Sequence, residues 1–264
     1  MHRFDQDIAI EKLGENDFQS EITPNWSVNN NPDGGYLMAM MANAVLQESE
    51  KSWAAIFTAN FIARCTPGKA ELSVERLGQS KTFDRWQVGL SQDGQAKVQA
   101  FCTLTDPVDG NGEKRYETVP PELPPFTECF EFPQLPGYTI YSSMDVRLDP
   151  AHTGWLTNGN LADRSDMRGW IRFRDDRPFD MLSALLAADA FPPPALVSQG
   201  MVAWVPTIEM SVNIRNLPQS PWLKCCFSSR FINNGIVEED GQIWDETNEL
   251  VAISRQISQF RKTV

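Results

Sequence analysis

The sequence predicts an α+β protein of two tandem repeats, each an antiparallel sheet packed round one long buried helix. Three observations predict it. Two almost wholly apolar helical runs occur, Tyr36 to Leu46 and Met181 to Phe191. Each is followed by a series of strand-like runs. Between the halves lies a segment, 106–150, holding 8 of the 18 prolines. Proline lacks the donor that helix and sheet interiors need. The expected organisation is a first repeat over 1–105, a Pro-rich linker over 106–150 and a second repeat over 151–264.

The helices come first. Ala, Leu and Met favour helix, and a helix apolar on nearly every side is buried on most sides. The strand-like runs of the first repeat are Ala55 to Arg64, Ala70 to Leu77, Arg85 to Ser91 and Ala96 to Leu104. Those of the second are Thr207 to Arg215, Trp222 to Phe231, Glu239 to Asp245 and Leu250 to Phe260. In one of them Ile208, Met210, Val212 and Ile214 alternate with Glu209, Ser211, Asn213 and Arg215, so one face is predicted buried and one wet. Asp93-Gly94 reads as a hairpin turn, and Thr247-Asn248 stands 154 positions later. Two sheets side by side can merge edges that each alone would leave exposed.

Composition bounds the function. The 264 residues are 41% hydrophobic and 22% charged, an ordinary globular balance that excludes whole-chain disorder. The net charge of −12 disfavours nucleic-acid and anionic-membrane partners. Five cysteines without a C-x-x-C read as reduced thiols in a cytoplasmic setting. With only His2 and His152, no metal site is expected. Neither a signal-type leader nor a membrane-length apolar run is seen. No G-x-S-x-G elbow, P-loop or dinucleotide fingerprint occurs. Acid–base chemistry must therefore rest on carboxylates, amides and hydroxyls.

Three places carry chemical potential. Asn31-Pro32-Asp33-Gly34-Gly35 precedes the first helix. It reads either as a turn with Asp33 as cap, or as a helix start whose free amides hold an anion or polarise a carbonyl oxygen. Asp189 lies near the end of the second apolar run, before Pro192-Pro193-Pro194, with no cation on its own helix. Burial there implies a raised pKa or a distant partner; the alternative is a solvent-facing Asp. Gln256 falls on the inward face of the last strand and must find partners, whether as a core amide or as a site residue. Ser229 alternates with Leu223, Cys225, Phe227 and Phe231, so it too is expected to point inward.

Gly34-Gly35 opening an apolar helix, Asp189-Ala190-Phe191-Pro192 ending the second, and the run Ile243-Trp244-Asp245 to Leu250-Val251-Ala252-Ile253-Ser254-Arg255-Gln256 resemble the double-hotdog acyl-CoA thioesterases of the thioesterase II-like family. The likeness covers nearly the whole chain, the linker least. It implies a double hotdog that hydrolyses acyl-CoA without a cofactor. It also implies a water-activating set of an Asp, a Thr or Ser and a Gln, which carries over to Asp189 and Gln256. Ungapped counting from Trp222 puts the hydroxyl on Arg230; alternation favours the adjacent Ser229, which is assigned. Gly34 and Gly35, with Met38 and Met41 of the first helix, are the expected substrate contacts. Met40 departs from members that carry Gln there. Near the first-repeat counterparts of the site stand Asn43, Ala44 and Cys102, so one site per chain is expected. Arg64, Arg172, Arg174, Arg177 and Arg215 are candidates for CoA phosphates, and exposed sheet edges make a homodimer the expected assembly. The alternatives are a non-catalytic acyl-CoA binder and a hotdog hydratase or dehydratase. The latter normally needs a catalytic His, and neither apolar run contains one.

Overall fold

The computed structural model describes residues 1–107, 114–201 and 203–262. Its principal elements are β1 (Asp17–Ile22), α1 (Gly34–Glu48), β2 (Trp53–Phe61), β3 (Gly68–Gln79), β4 (Asp84–Gln92), β5 (Gln95–Thr105), β6 (Met144–Leu148), β7 (Ser165–Phe173), α2 (Met181–Ala187), β8 (Thr207–Ile214), β9 (Leu223–Ser229), β10 (Ile236–Asp245) and β11 (Leu250–Gln259). The strands form one 14-stranded antiparallel sheet, in which these run β1-β3-β4-β5-β2-β8-β11-β10-β9-β7-β6. The halves mirror each other about the β2–β8 seam. There Met210 stands opposite Ala59, and the Thr58 and Ser211 hydroxyls meet at 2.8 Å. The merged sheet thus buries the edge that each repeat would otherwise expose.

Helix α1 begins where Asp33, in extended conformation, turns its Oδ1 to accept the Tyr36 amide at 3.0 Å. Every residue from Gly35 to Ala42 is buried, as an all-round apolar helix requires. Met38, Met40 and Met41 have no exposed surface and belong to the central core. Burying each side chain of this size contributes roughly 1.5–3 kcal/mol. The Asp93-Gly94 turn has both residues at positive φ, as a two-residue type I′ hairpin demands.

Three expectations are corrected. The second helix is short: α2 stops at Ala187, leaving Asp189 in the turn beyond it. The segment 106–150 is not all strap. Residues 108–113 lie outside the described residues, but Phe130–Glu131 and β6 pair into the sheet beside β7. Finally, the strand through Ser229 ends there, and Phe231 is 67% exposed rather than inward.

Candidate active site

The site forms where the start of α1 meets the end of α2. Both glycines are explained by proximity. A Cβ on Gly35 would lie 2.4 Å from the Leu185 carbonyl oxygen and 2.8 Å from Leu186 Cα. A Cβ on Gly34 would lie 2.8 Å from Asp189 Oδ2 and from Phe61 Cζ. Only a residue without a side chain lets the two backbones come this close.

That closeness delivers Asp189 to the first turn of α1. Its Oδ2 accepts the Gly35 amide at 3.1 Å, and its Oδ1 accepts Gln256 Nε2 at 3.3 Å. The amides at this helix start are thus occupied by a carboxylate of the protein itself. A carboxylate at the positive end of a 15-residue helix is favoured by the aligned peptide dipoles. Desolvation still dominates and raises its pKa to about 6, against the Gly35 amide, Asp33, the Gly34 amide and Gln256, which pull it down.

Gln256, 8% exposed on β11, reaches Asp189 with its amide nitrogen and also donates to Thr207 Oγ1. Thr207 is not among the residues that the sequence places at the site. Strict alternation places it on the outer face with Glu209 and Ser211. The pairing of β8 with β11 instead slips between Thr207 and Glu209: Met210 faces Gln256, Glu209 faces Ile257, and Thr207 faces Ser258. This bulge puts Thr207 on the Gln256 face and leaves Ile208 38% exposed at the cavity. Re-aiming one side chain at a site is a recurring use of bulges.

Ser229, by contrast, is two strands away on β9, opposite Ser165, and does not line the cavity described below. Arg230 turns outward to Glu238 and Asp240. The hydroxyl beside the amide is therefore that of Thr207. Met38 and Met41 are likewise core residues and do not line the cavity; from α1 only Gly34 and Leu37 do. At the first-repeat counterparts, Asn43 gives its amide to the Ile8 carbonyl and Cys102 is buried, so both serve structure.

Asp189, Gln256 and Thr207 open onto a cavity of about 620 Å³. Its walls are largely apolar and aromatic, among them Phe61, Phe132, Tyr141, Trp155, Phe191 and Trp204. Two further carboxyls face it. Asp33, 5% exposed, is pushed well up by burial and by the Asp189 charge. Glu239, opposite Gln256 on β10, is raised by burial and then by Asp189. Among the described residues none of the three makes an ion pair. Arg64 and Arg261 are the cavity's cationic lining. Of the other arginines named from sequence, Arg177 pairs with Asp5 and Asp180, Arg172 with Asp145 and Asp176, and Arg174 with Glu131 and Asp145. No group of three or more potential metal ligands occurs among the described residues. No described helix is long and apolar enough to cross a membrane.

The model of the acyl-CoA thioesterase N-terminal domain matches residues 22–105, and that of the C-terminal domain matches residues 117–260. The chain belongs to the acyl-CoA thioesterase family. Uncharacterised proteins of Mycobacterium bovis and Mycobacterium tuberculosis are 25% identical to this thioesterase-family chain over 271 residues, spanning 91% of it and 90% of their own length. A structure from Thermobifida fusca, provisionally described as a thioesterase II, superposes with a TM-score of 0.91 at 24% identity, covering 99% of this chain and 98% of that one. A hot-dog-fold protein of unknown function from Alicyclobacillus acidocaldarius gives 0.90 at 18% identity over 100% of both chains. The acyl-CoA thioesterase II TesB2 of Mycobacterium marinum gives 0.78 at 16% identity over 98% of each. The fold is a double hotdog.

Proposed function

We propose that this protein hydrolyses acyl-CoA thioesters, with Asp189 as general base. The supporting observation is one contiguous set: a desolvated carboxylate, the Gln256 amide and the Thr207 hydroxyl, at an apolar cavity sized for a small-molecule ligand.

In this reading the acyl chain occupies the aromatic-walled cavity and brings the thioester to Asp189. The carboxylate takes a proton from water, and the water oxygen attacks the thioester carbonyl carbon. The tetrahedral intermediate collapses with cleavage of the carbon–sulfur bond, and the departing thiol recovers the proton from Asp189. Gln256 fixes the carboxylate. The Thr207 hydroxyl, which accepts from Gln256, keeps its own proton to orient the water. A base whose pKa lies near the working pH is suited to this exchange. No imidazole lies in the cavity lining, which favours hydrolysis over hydration or dehydration.

The test is release of free thiol from a series of acyl-CoAs, with binding measured in parallel. Turnover of at least one acyl chain length is expected. Binding of acyl-CoA without turnover at any chain length would make the protein a carrier instead.

A further inference from the structure

We propose that Asp33 is a positioning residue for Asp189: a neutral carboxylic acid whose O–H donates a hydrogen bond to the Asp189 carboxylate. The inference rests on the reading of Asp189 as the base.

The geometry carries it. Asp33 caps the helix whose second residue, Gly35, holds Asp189. Its Oδ1 is taken up by the Tyr36 amide, and both carboxyls line one cavity at the first turn of α1, where Asp189 Oδ2 lies 2.8 Å from the point a Cβ on the next residue, Gly34, would occupy. Two ionised carboxylates are acceptors only and cannot bond to each other, so a bond between them requires one proton. Two like charges in one desolvated pocket do not both ionise. Asp189 has the richer donor set, accepting from the Gly35 amide and Gln256, whereas Asp33 accepts from the Tyr36 amide alone. The charge therefore resides on Asp189 and the proton on Asp33.

The surrounding groups reinforce this division. Glu239 faces the pair from β10, and Tyr141 faces it from the helical turn Ile140–Ser143. Burial raises both, so Tyr141 stays neutral and Glu239 resists ionisation. The Gln256 and Thr207 groups carry no charge. A cap that was only a cap would be served equally well by Ser, Asn or Asp.

That equality supplies the test. Asp33→Ser keeps the cap but is too short to reach Asp189; Asp33→Asn keeps the cap and offers Asp189 an amide N–H. In pH profiles of kcat/KM, Asp33→Ser should move the acid limb up by about one unit, and Asp33→Asn should restore it to within half a unit of the parent. A Ser profile that superimposes on the parent would reduce Asp33 to a cap. A downward shift in the Asn variant would mean that Asp33 carries charge in the working enzyme. Asp189→Asn is run alongside: if it still turns over, the base assignment fails. The protonation claim is then decided separately by infrared difference spectra at pH 7. A neutral carboxylic-acid carbonyl band, present in the parent and missing in Asp33→Asn, supports it; no such band in the difference spectrum overturns it.

Discussion

The Gly35 amide donates to Asp189 Oδ2 at 3.1 Å across 154 residues of sequence. The first helix of one repeat thereby solvates the carboxylate in the turn after the helix of the other. Most of what the site should do follows from this bond.

Asp189→Asn should lower turnover by roughly 10²–10⁴-fold, the usual worth of a general base. Acyl-CoA binding should persist, because the amide keeps the shape and the acceptor for Gly35. Calorimetric binding beside a free-thiol assay separates the two. Loss of both together would point to misfolding rather than chemistry.

Turnover should rise with pH through about 6, where Asp189 becomes ionised. The stability of the fold should move the other way. The folded-state value lies above the ordinary carboxylate range, so folding takes up a proton between about pH 4 and pH 6. Stability therefore falls as pH rises through that window. Asp189→Asn should accordingly stabilise the protein at pH 7, by on the order of 1–3 kcal/mol, and hardly at all at pH 4. Thermal melts of both proteins at the two pH values check the sign.

Thr207→Val should cost turnover by 10-fold or more, since Gln256 loses its acceptor and the water its hydroxyl. Ser229→Ala should leave turnover unchanged, because that hydroxyl does not line the cavity. Reversal of these two effects would restore the assignment that strand alternation alone suggests.

Gly35→Ala should destabilise the fold by about 1–3 kcal/mol, the ordinary cost of overpacking, because its Cβ would meet the Leu185 carbonyl at 2.4 Å. It should also lower activity in the molecules that remain folded, since α1 and α2 must part and lengthen the Gly35–Asp189 bond. Denaturant melts and kcat at matched folded fractions measure both effects.

Arg64→Ala and Arg261→Ala should raise KM for acyl-CoA more than they lower kcat, with the loss growing at low ionic strength. Both cations line the cavity and make no ion pair among the described residues. Identical KM values in the variants and the parent would place the phosphates elsewhere.

Much of this was legible in the residues. Helix α1 is readable because Ala, Leu and Met crowd it from Leu37 to Ala42 and Asp33 caps it. The strands are readable where alternation is strict, as from Met210 to Ile214. Gln256 stood out because an amide on an inward strand face demands partners. The sequence could not reveal where regular period breaks. A one-residue slip after Thr207 is invisible to alternation, which points to the Ser229 hydroxyl instead. Asp33 read as a simple cap because its second neighbour, Asp189, arrives only through tertiary packing. The resemblance implies Met38 and Met41 as substrate contacts, but both lie in the core and do not line the cavity.

The Gly35–Asp189 bond also constrains how such a chain can change. The carboxylate belongs to one hotdog repeat, and the peptide group that cradles it belongs to the other. Any change that pries the two repeats apart disarms both, so neither half can be shed or shuffled alone with its chemistry intact.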